Sequence, residues 1–182
     1  IPNEIYNYPI YRRPKDLIKI NLSQFNEHLE GQSITARIEG QNVLPYFTRR
    51  QIDVEKSLSG KGLELAWLKD PVDVAFLQIQ GSGRIKLPDG KTMLVGYHIS
   101  NGRPYHSIGK YMMDNDLLSK EQMSMQGIRQ YLKNNPHLIQ EVLSHNPSYV
   151  FFRKLEEGPL GNIGVPLTPG RSLALDSGLF PR

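Results

Sequence analysis

Residues 78–91, QIQGSGRIKLPDGK, carry two glycines beside basic residues, and the fold depends on how they are interpreted. A phosphate-binding P-loop needs G-x-x-x-x-G-K-[ST] between a strand and a helix, and no Lys-Ser or Lys-Thr pair follows here. A dinucleotide-binding fingerprint needs a third glycine, where this chain has Lys86. We therefore interpret Gly81 and Gly83 as a strand bulge or a close backbone approach.

A strand through these residues would present its polar side chains on one face. Gln78, Gln80 and Ser82 alternate with apolar or small residues, as the two-residue period of a strand requires. Amide and hydroxyl groups suit uncharged ligands that are rich in hydroxyls and amides, such as sugars. A bulged edge strand without any ligand explains the same residues equally well.

Apolar and alternating segments elsewhere predict further strands. They are EIYNYPIY (4–11), QSITARIEG (32–40), LELAWL (63–68), VAFLQIQ (74–80), GRIKL (83–87), KTMLVGYHIS (91–100), SYVFFRKL (148–155) and RSLALD (171–176). Two dipeptides, Asp89-Gly90 and Asn101-Gly102, tolerate the positive φ angles of tight hairpin turns.

Helical signals are concentrated between about 107 and 146. Ser119 and Thr48 each begin a sequence with capping-box spacing, and the helix after Thr48 is predicted to run to Gly60 and Gly62. Apolar residues at spacings of three and four predict a helix that Pro136 interrupts. The chain is therefore predicted to be mainly β or α+β, a small antiparallel β-barrel with a helical excursion at 107–146.

Composition narrows the chemistry. The 182 residues include no cysteine, and the five histidines lack metal-ligand spacing, so we expect neither a metal site nor a cofactor. The net charge of +4 comes from scattered basic residues, which does not favour a nucleic-acid partner. No apolar stretch approaches the ~20 residues of a membrane span. A chain that begins at Ile1-Pro2 is interpreted as a mature or excised fragment.

Several segments together resemble one known family, the membrane-bound lytic murein transglycosylase A proteins of Gram-negative bacteria. The similarity covers nearly the whole chain, and Q-G-S-G, N-G-x-P-Y-x-S-I-G and S-M-Q in that order are highly specific. The segments are YPIYRRP (8–14), LPYFTRRQI (44–52), GLELAWLKDPVDVAFLQIQGSGRIKLPDG (62–90), VGYHISNGRPYHSIGK (95–110), MSMQGIRQYL (123–132), NPSYVFFR (146–153) and GVPLTPGRSLALD (164–176).

The resemblance implies a two-domain enzyme with a glycan groove between its domains. Residues 1–157 correspond to the family's insert β-barrel domain, and residues 158–182 to a linker and the first strand of an incomplete, double-psi-like catalytic barrel. Family members cleave the β-1,4 bond between N-acetylmuramic acid and N-acetylglucosamine without water and leave 1,6-anhydro ends. The implied location is the periplasmic side of the outer membrane, with anchoring through a segment absent here, and the implied partner is peptidoglycan.

The resemblance also assigns the site residues. The family's catalytic aspartate precedes a Gly-Gly-Ala-Ile-Lys-Gly run that nothing after Asp176 matches, so this chain is predicted to lack the acid and to be inactive alone. Asp176, which ends an apolar run, is the substitute candidate. The predicted substrate-binding residues are Gln78, Gln80, Gly81, Ser82, Gly83, Tyr105, Ser107, Ser124 and Gln126.

Two other functions remain open at this point. A stand-alone carbohydrate-binding module would contain the same polar residues without a catalytic partner. A small nucleic-acid-binding barrel would need aromatic stacking platforms and would bind with a steep salt dependence.

Overall fold

A computed structural model describes residues 2–156 together with residues 168 and 171. Its strands form three antiparallel sheets. In the first, β1 (Tyr8–Tyr11) pairs with β5 (Glu64–Leu68); in the second, β3 (Ser33–Glu39) lies between β2 (Ile18–Asn21) and β4 (Asn42–Pro45); in the third, β7 (Thr92–Ser100) lies between β6 (Ser82–Lys86) and β8 (Val150–Leu155). The predicted α+β class with antiparallel sheets is confirmed, while closure into a barrel stays a prediction.

The helices pack beside these sheets. They are α1 (Arg49–Asp53), α2 (Pro71–Gln80), α3 (Ile108–Asp114), α4 (Met125–Asn134) and α5 (Ile139–Ser144), with one-turn 3₁₀ helices at Leu22–Gln24, Glu27–Leu29, Lys120–Gln122 and Pro136–Leu138. The helical excursion predicted at 107–146 is confirmed, and α4 ends just before Pro136, as predicted. No helix in the described part of the chain is long and apolar enough to cross a bilayer.

The strand predicted at 74–80 is wrong, because these residues form most of α2. The side chain of Asp70 accepts a hydrogen bond from the Val72 N–H at 2.8 Å, which caps the helix, and Pro71 occupies its first turn. At the other end Gly81 adopts φ +77° and donates its N–H to Leu77. Each of these signals is present in the sequence, so the Asp-Pro pair and the terminal glycine identify a helix.

The position of α2 explains why its sequence resembles a strand. Val72, Ala75 and Phe76 belong to the buried cluster formed with α3, α4 and α5. Val74 belongs to a second cluster, in which it packs against Ile10 and other side chains of the sheets. A helix buried on both sides carries an almost continuous apolar run, and such a run does not distinguish a helix from a buried strand.

Gly81 and Gly83 are each required for a different structural reason, and neither forms a strand bulge. Gly81 is needed for the left-handed conformation that ends α2. At Gly83, a Cβ atom would lie 2.5 Å from Cδ1 of Leu77. The predicted close backbone approach is therefore present, but the group that approaches Gly83 is a side chain of α2.

Four local predictions have mixed outcomes. Asp89-Gly90 does form the β6–β7 hairpin turn, and Gly90 has φ +79°. Asn101-Gly102 forms no hairpin; it leads into the loop before α3. The capping box at Thr48 is confirmed, although α1 ends at Asp53, before the two glycines. The capping box predicted at Ser119 is wrong: Ser119 precedes a 3₁₀ turn and its side chain makes no capping hydrogen bond. The cap of α4 is Ser124.

Predictions for the end of the chain fall outside the described residues. The linker and strand at 158–182, and the candidate acid Asp176, lie there, apart from residues 168 and 171.

We expect Asp70→Ala to lower the free energy of unfolding by about 1 kcal/mol, because α2 loses its N-terminal cap. In thermal denaturation this corresponds to a decrease in Tm of roughly 2–4 °C for a chain of this size. Asp70→Asn is the matched control, since asparagine caps equally well. An equal loss in both variants would show that the charge of Asp70 matters and its cap does not.

Candidate functional site

The buried guanidinium of Arg49 connects three segments of the chain. Arg49 is 3% exposed, and its Nε donates to the carbonyl oxygen of Asn146 at 3.2 Å. Its Nη2 donates to the carbonyl of Ser148 at 3.0 Å and to the side-chain oxygen of Gln78. Its Nη1 lies 3.4 Å from Oδ2 of Asp53. One side chain at the start of α1 thus holds the end of α2 and the chain entering β8.

Asn101 is a second buried connection. Its Nδ2 donates to the carbonyl oxygens of Phe47 and Pro147, at 2.8 and 2.9 Å. Its Oδ1 accepts from the N–H groups of Tyr149 and Arg103, at 2.9 and 3.3 Å. The fully buried carboxamide therefore uses both ends to join three segments that are far apart in sequence.

Asn146 completes this set of side chains. Its Oδ1 accepts from the N–H of His106 and from the N–H of Ser148, both at 3.1 Å. The loop 102–107 is thus held near its beginning by Asn101 and near its end by Asn146. Between these two attachments the ring of Tyr105 is 56% exposed. The side chain of Tyr105 is therefore exposed on a loop that two buried asparagines hold near its ends.

The structure brings Gln80 close to the start of α4. The Nε2 atom of Gln80, at the end of α2, lies 3.9 Å from the Sδ atom of Met125, the first residue of α4. Asp73 and Arg129 form an ion pair between the same two helices. The later residue of α2 thus contacts the earlier residue of α4, and the earlier residue of α2 contacts the later one. The two helices are therefore antiparallel, and the C-terminus of α2 meets the N-terminus of α4.

Two of the three predicted serines, Ser107 and Ser124, are helix caps. Ser107 Oγ accepts from the N–H of Lys110 at 3.2 Å, and Ser124 Oγ accepts from the N–H of Gly127 at 3.0 Å. Both serines are exposed, and the hydroxyl hydrogen of a capping serine remains available to a ligand. A Cβ atom on Gly109 would lie 3.1 Å from Met123 Sδ, so the first turn of α3 contacts the segment that enters α4.

Gln78 does not share an exposed face with Gln80. Residues two apart on a helix point in nearly opposite directions, and Gln78 is only 5% exposed. Its amide is hydrogen-bonded to Arg49 and lies 3.5 Å from the Val150 carbonyl. Gly81, Ser82 and Gly83 are half-buried at the transition from α2 to β6, whereas Gln126 is exposed in the first turn of α4.

We define the helix-end surface by the exposed side chains of Gln80, Tyr97, Tyr105, Ser107, Ser124, Met125 and Gln126. The sequence analysis did not predict Tyr97, whose side chain is 50% exposed. Tyr97 lies beside the end of α2, because a Cβ atom added to Gly81 would be 3.8 Å from the Cβ of Tyr97. Sequence reasoning also missed Arg49, Asn101 and Asn146. Asparagine beside Gly or Pro predicts a turn, and that pattern does not reveal a buried carboxamide.

The chemistry of the helix-end surface favours binding. Amide, hydroxyl, phenol and thioether groups are uncharged at neutral pH, so they form hydrogen bonds and stack but are poor proton donors to a leaving group. Within residues 2–156, no cluster of three or more His, Asp or Glu side chains is placed to hold a metal ion. This arrangement fits an uncharged polar ligand.

A separate cavity of about 250 Å³ lies near the opposite end of α2. It is mostly apolar, and its walls include Tyr11, Ile52, Asp53, Pro71, Val74, Gln140 and Leu143. Burial raises the pKa of Asp53 above its ordinary value, although the nearby Arg49 guanidinium opposes the shift. None of the residues predicted to bind substrate lines this cavity.

The comparisons with known proteins all indicate the same family. The family model described as the MltA-specific insert domain matches residues 1–153. The chain is 30% identical, over 99% of its own length, to membrane-bound lytic murein transglycosylase A of Vibrio cholerae, and 37% identical, over 64% of its length, to the Escherichia coli protein of that name. It spans 42% and 33% of those two relatives, less than half of each.

Solved structures give the same result. The membrane-bound lytic murein transglycosylase of Agrobacterium tumefaciens superposes with a TM-score of 0.85 at 36% identity, over 97% of this chain and 49% of that one. E. coli MltA with bound chitohexaose superposes with a TM-score of 0.70 at 29% identity, over 92% of this chain and 42% of that one.

We expect Asn101→Ala to lower the free energy of unfolding by about 3 kcal/mol, because the Phe47 carbonyl and the N–H groups of Tyr149 and Arg103 lose their partner in the interior, while the Pro147 carbonyl keeps the N–H of Arg49. Chemical denaturation measures the loss. Asn115→Ala removes an exposed carboxamide and should change stability by no more than about 0.5 kcal/mol. Similar losses in the two variants would contradict the role assigned to Asn101.

Proposed function

The chain belongs to the family of the MltA-specific insert domain, and from this membership we propose that it is the glycan-binding portion of a lytic murein transglycosylase. The parent enzyme cleaves the β-1,4 bond between N-acetylmuramic acid and N-acetylglucosamine in peptidoglycan and leaves 1,6-anhydro ends. Residues 1–157 form the insert domain, and residues 158–182 connect it to the catalytic barrel. The relatives' "membrane-bound" name supports a location at the membrane, on the periplasmic side of the outer membrane in this proposal.

The observation that carries this proposal is the junction of α2 with α4. It brings Gln80 beside Met125, with Ser124 and Gln126 in the same turn, although some 45 residues separate them in sequence. Among the residues that the structure describes, the amide of Gln80 has only a weak sulfur contact at 3.9 Å, so it is available to a ligand. A chain of N-acetyl sugars offers the hydroxyl and amide groups that these side chains bind.

Exposed aromatic rings support the same ligand class. Tyr97 lies beside the end of α2, and Tyr105 lies in the loop before α3. An aromatic face packs against the apolar face of a pyranose ring while its hydroxyl remains hydrogen-bonded to water or sugar. We propose that Gln80, Ser107, Ser124 and Gln126 hydrogen-bond to the glycan and that the two tyrosines stack on it.

The catalytic acid lies elsewhere in this proposal. Protonating a glycosidic oxygen needs a carboxylic acid that its surroundings keep neutral, and the helix-end surface is formed by amides, hydroxyls, phenols and a thioether. The family resemblance assigns the acid to a motif that nothing after Asp176 matches, so in this proposal it belongs to the part of the relatives that this chain does not span. A chain that binds without cleaving is the expected behaviour of such a portion.

The two alternative functions differ from this proposal in what they require beside the helix-end surface. A stand-alone carbohydrate-binding module would use the same contacts without a catalytic partner. A nucleic-acid-binding barrel would need unpaired basic side chains along its aromatic groups, yet Arg129 pairs with Asp73 and Lys110 pairs with Asp114 beside this surface.

We expect the 182-residue chain to bind chitohexaose in isothermal titration calorimetry and to release no 1,6-anhydro products from purified peptidoglycan, as judged by mass spectrometry. The physical reason is that its uncharged binding groups do not supply an acid. A full-length relative is the positive control for the digestion. Anhydro products from this chain would place an acid within it and make Asp176 the first candidate.

Gln80→Ala should weaken chitohexaose binding about threefold to tenfold, the effect of losing one or two hydrogen bonds of about 0.5–1.5 kcal/mol each. The Tm should change little because Gln80 is exposed. Gln140→Ala, an exposed glutamine on α5 that lines the separate cavity, is the matched control and should bind like the wild type. A lower Tm with unchanged affinity would assign Gln80 a structural role.

A further inference from the structure

We propose that Asn146 is a positioning residue for glycan binding: it fixes the loop 102–107 so that the ring of Tyr105 faces the ligand. Asn146 itself is buried and does not contact the glycan. The inference rests on the proposed function, because it takes Tyr105 as a glycan contact.

The loop needs such support because it has no regular structure of its own. Residues 101–107 belong to no helix or strand, and most of their side chains are exposed. Its conformation depends on hydrogen bonds from side chains outside it. Asn146 Oδ1 accepts from the N–H of His106, the residue directly after Tyr105, at 3.1 Å. That bond lies on the C-terminal side of Tyr105.

Contacts on the other side of Tyr105 complete the support. Asn101 Oδ1 accepts from the Arg103 N–H, and Arg103 Nε donates to the Tyr46 carbonyl at 2.8 Å. Gly102 lies against β3, where a Cβ atom would be 2.5 Å from Cβ of Thr35. With the backbone fixed before and after Tyr105, binding a ligand to this ring needs less ordering of the loop, which is how preorganisation raises affinity.

Asn146 is itself held in place by the buried Arg49. The guanidinium Nε donates to the Asn146 carbonyl, while the same guanidinium holds Gln78 on α2. Gln78 lies two residues before Gln80 on α2. The Arg49 guanidinium therefore holds both the helix that carries Gln80 and Asn146, which supports the loop that carries Tyr105. Asn146 is the better residue to test, because Asn101 and Arg49 each satisfy several buried groups whose loss would also affect folding.

A double-mutant cycle with Tyr105→Ala separates positioning from a general structural effect. Chitohexaose affinity is measured by calorimetry for the wild type, Asn146→Ala, Tyr105→Ala and the double variant. We expect Asn146→Ala to weaken binding about threefold to tenfold when Tyr105 is present, and by less than about twofold when Tyr105 is already alanine. Asn146→Asp keeps the accepting oxygen and should restore most of the affinity.

The outcomes are distinguishable from failure of the proposed function. An equal loss of affinity in both backgrounds, or no loss in either, contradicts the positioning role while glycan binding itself stands. If Tyr105→Ala alone binds like the wild type, Tyr105 is not a glycan contact, and the assignment of Asn146 fails with it. If the wild-type chain binds no chitohexaose, the proposed function fails.

A second pair of variants tests the loop without a change in the interior. Gly102 and Gly90 have φ angles of +73° and +79°, so alanine strains the backbone similarly at both. At Gly102 the added Cβ collides with Thr35, whereas at Gly90 no heavy atom of the described residues lies within 4 Å of the added Cβ. Gly102→Ala should weaken binding, and only while Tyr105 is present, whereas Gly90→Ala should not. Equal affinities for the two glycine variants would contradict control of Tyr105 by loop placement.

Discussion

A buried guanidinium must have partners for its donors, and this requirement organises the centre of the molecule. Leaving the charge of Arg49 unpaired in the interior would cost several kcal/mol, so the surrounding chain has to supply acceptors. It supplies two main-chain carbonyls, the Gln78 amide oxygen and a carboxylate, and the cation also lies 5.2 Å from the centre of the Tyr149 ring. Two of these partners lie 97 and 99 residues from Arg49 along the chain. The core is therefore specified by hydrogen-bond geometry as well as by burial of apolar area, because α1, α2 and the approach to β8 must meet around this cation to satisfy its donors.

The two buried asparagines extend the same constraint to the surface. Backbone groups in the irregular segments around Phe47, Arg103 and Pro147 lie outside the regular hydrogen bonding of strands and helices, and the carboxamides of Asn101 and Asn146 provide partners for them. An apolar core alone would leave the loop before α3 free to adopt many conformations. The polar connections give this loop a defined conformation, which is what the proposed glycan contact by Tyr105 requires.

The sequence predicts the fold class and most strands, because period-two patterns bounded by turn residues are local signals, and β7 and β8 follow them closely. It fails at α2, where burial on two sides removes the polar face that identifies a helix, although Asp70 and Pro71 mark the start. For the proposed site, the family resemblance predicts Gln80, Tyr105 and Ser124, whose side chains are exposed in the structure. The sequence does not reveal Arg49 or Asn146, since their role depends on partners far away in sequence, and a surface arginine or turn asparagine has the same local pattern. Tyr97 is missed for a similar reason: only the packing of β7 beside Gly81 shows that its ring is exposed next to the end of α2.

The transition at Gly81 has a mechanical consequence. One residue separates the last turn of α2 from the first residue of β6, and the side chain of Leu77 occupies the space that a Cβ on Gly83 would need. This short, packed connection leaves the end of α2 little freedom to move independently of β6, which pairs with β7, as β7 does with β8. In the proposed function, a load on a glycan held at Gln80 would therefore be passed to this sheet and not to a surface loop.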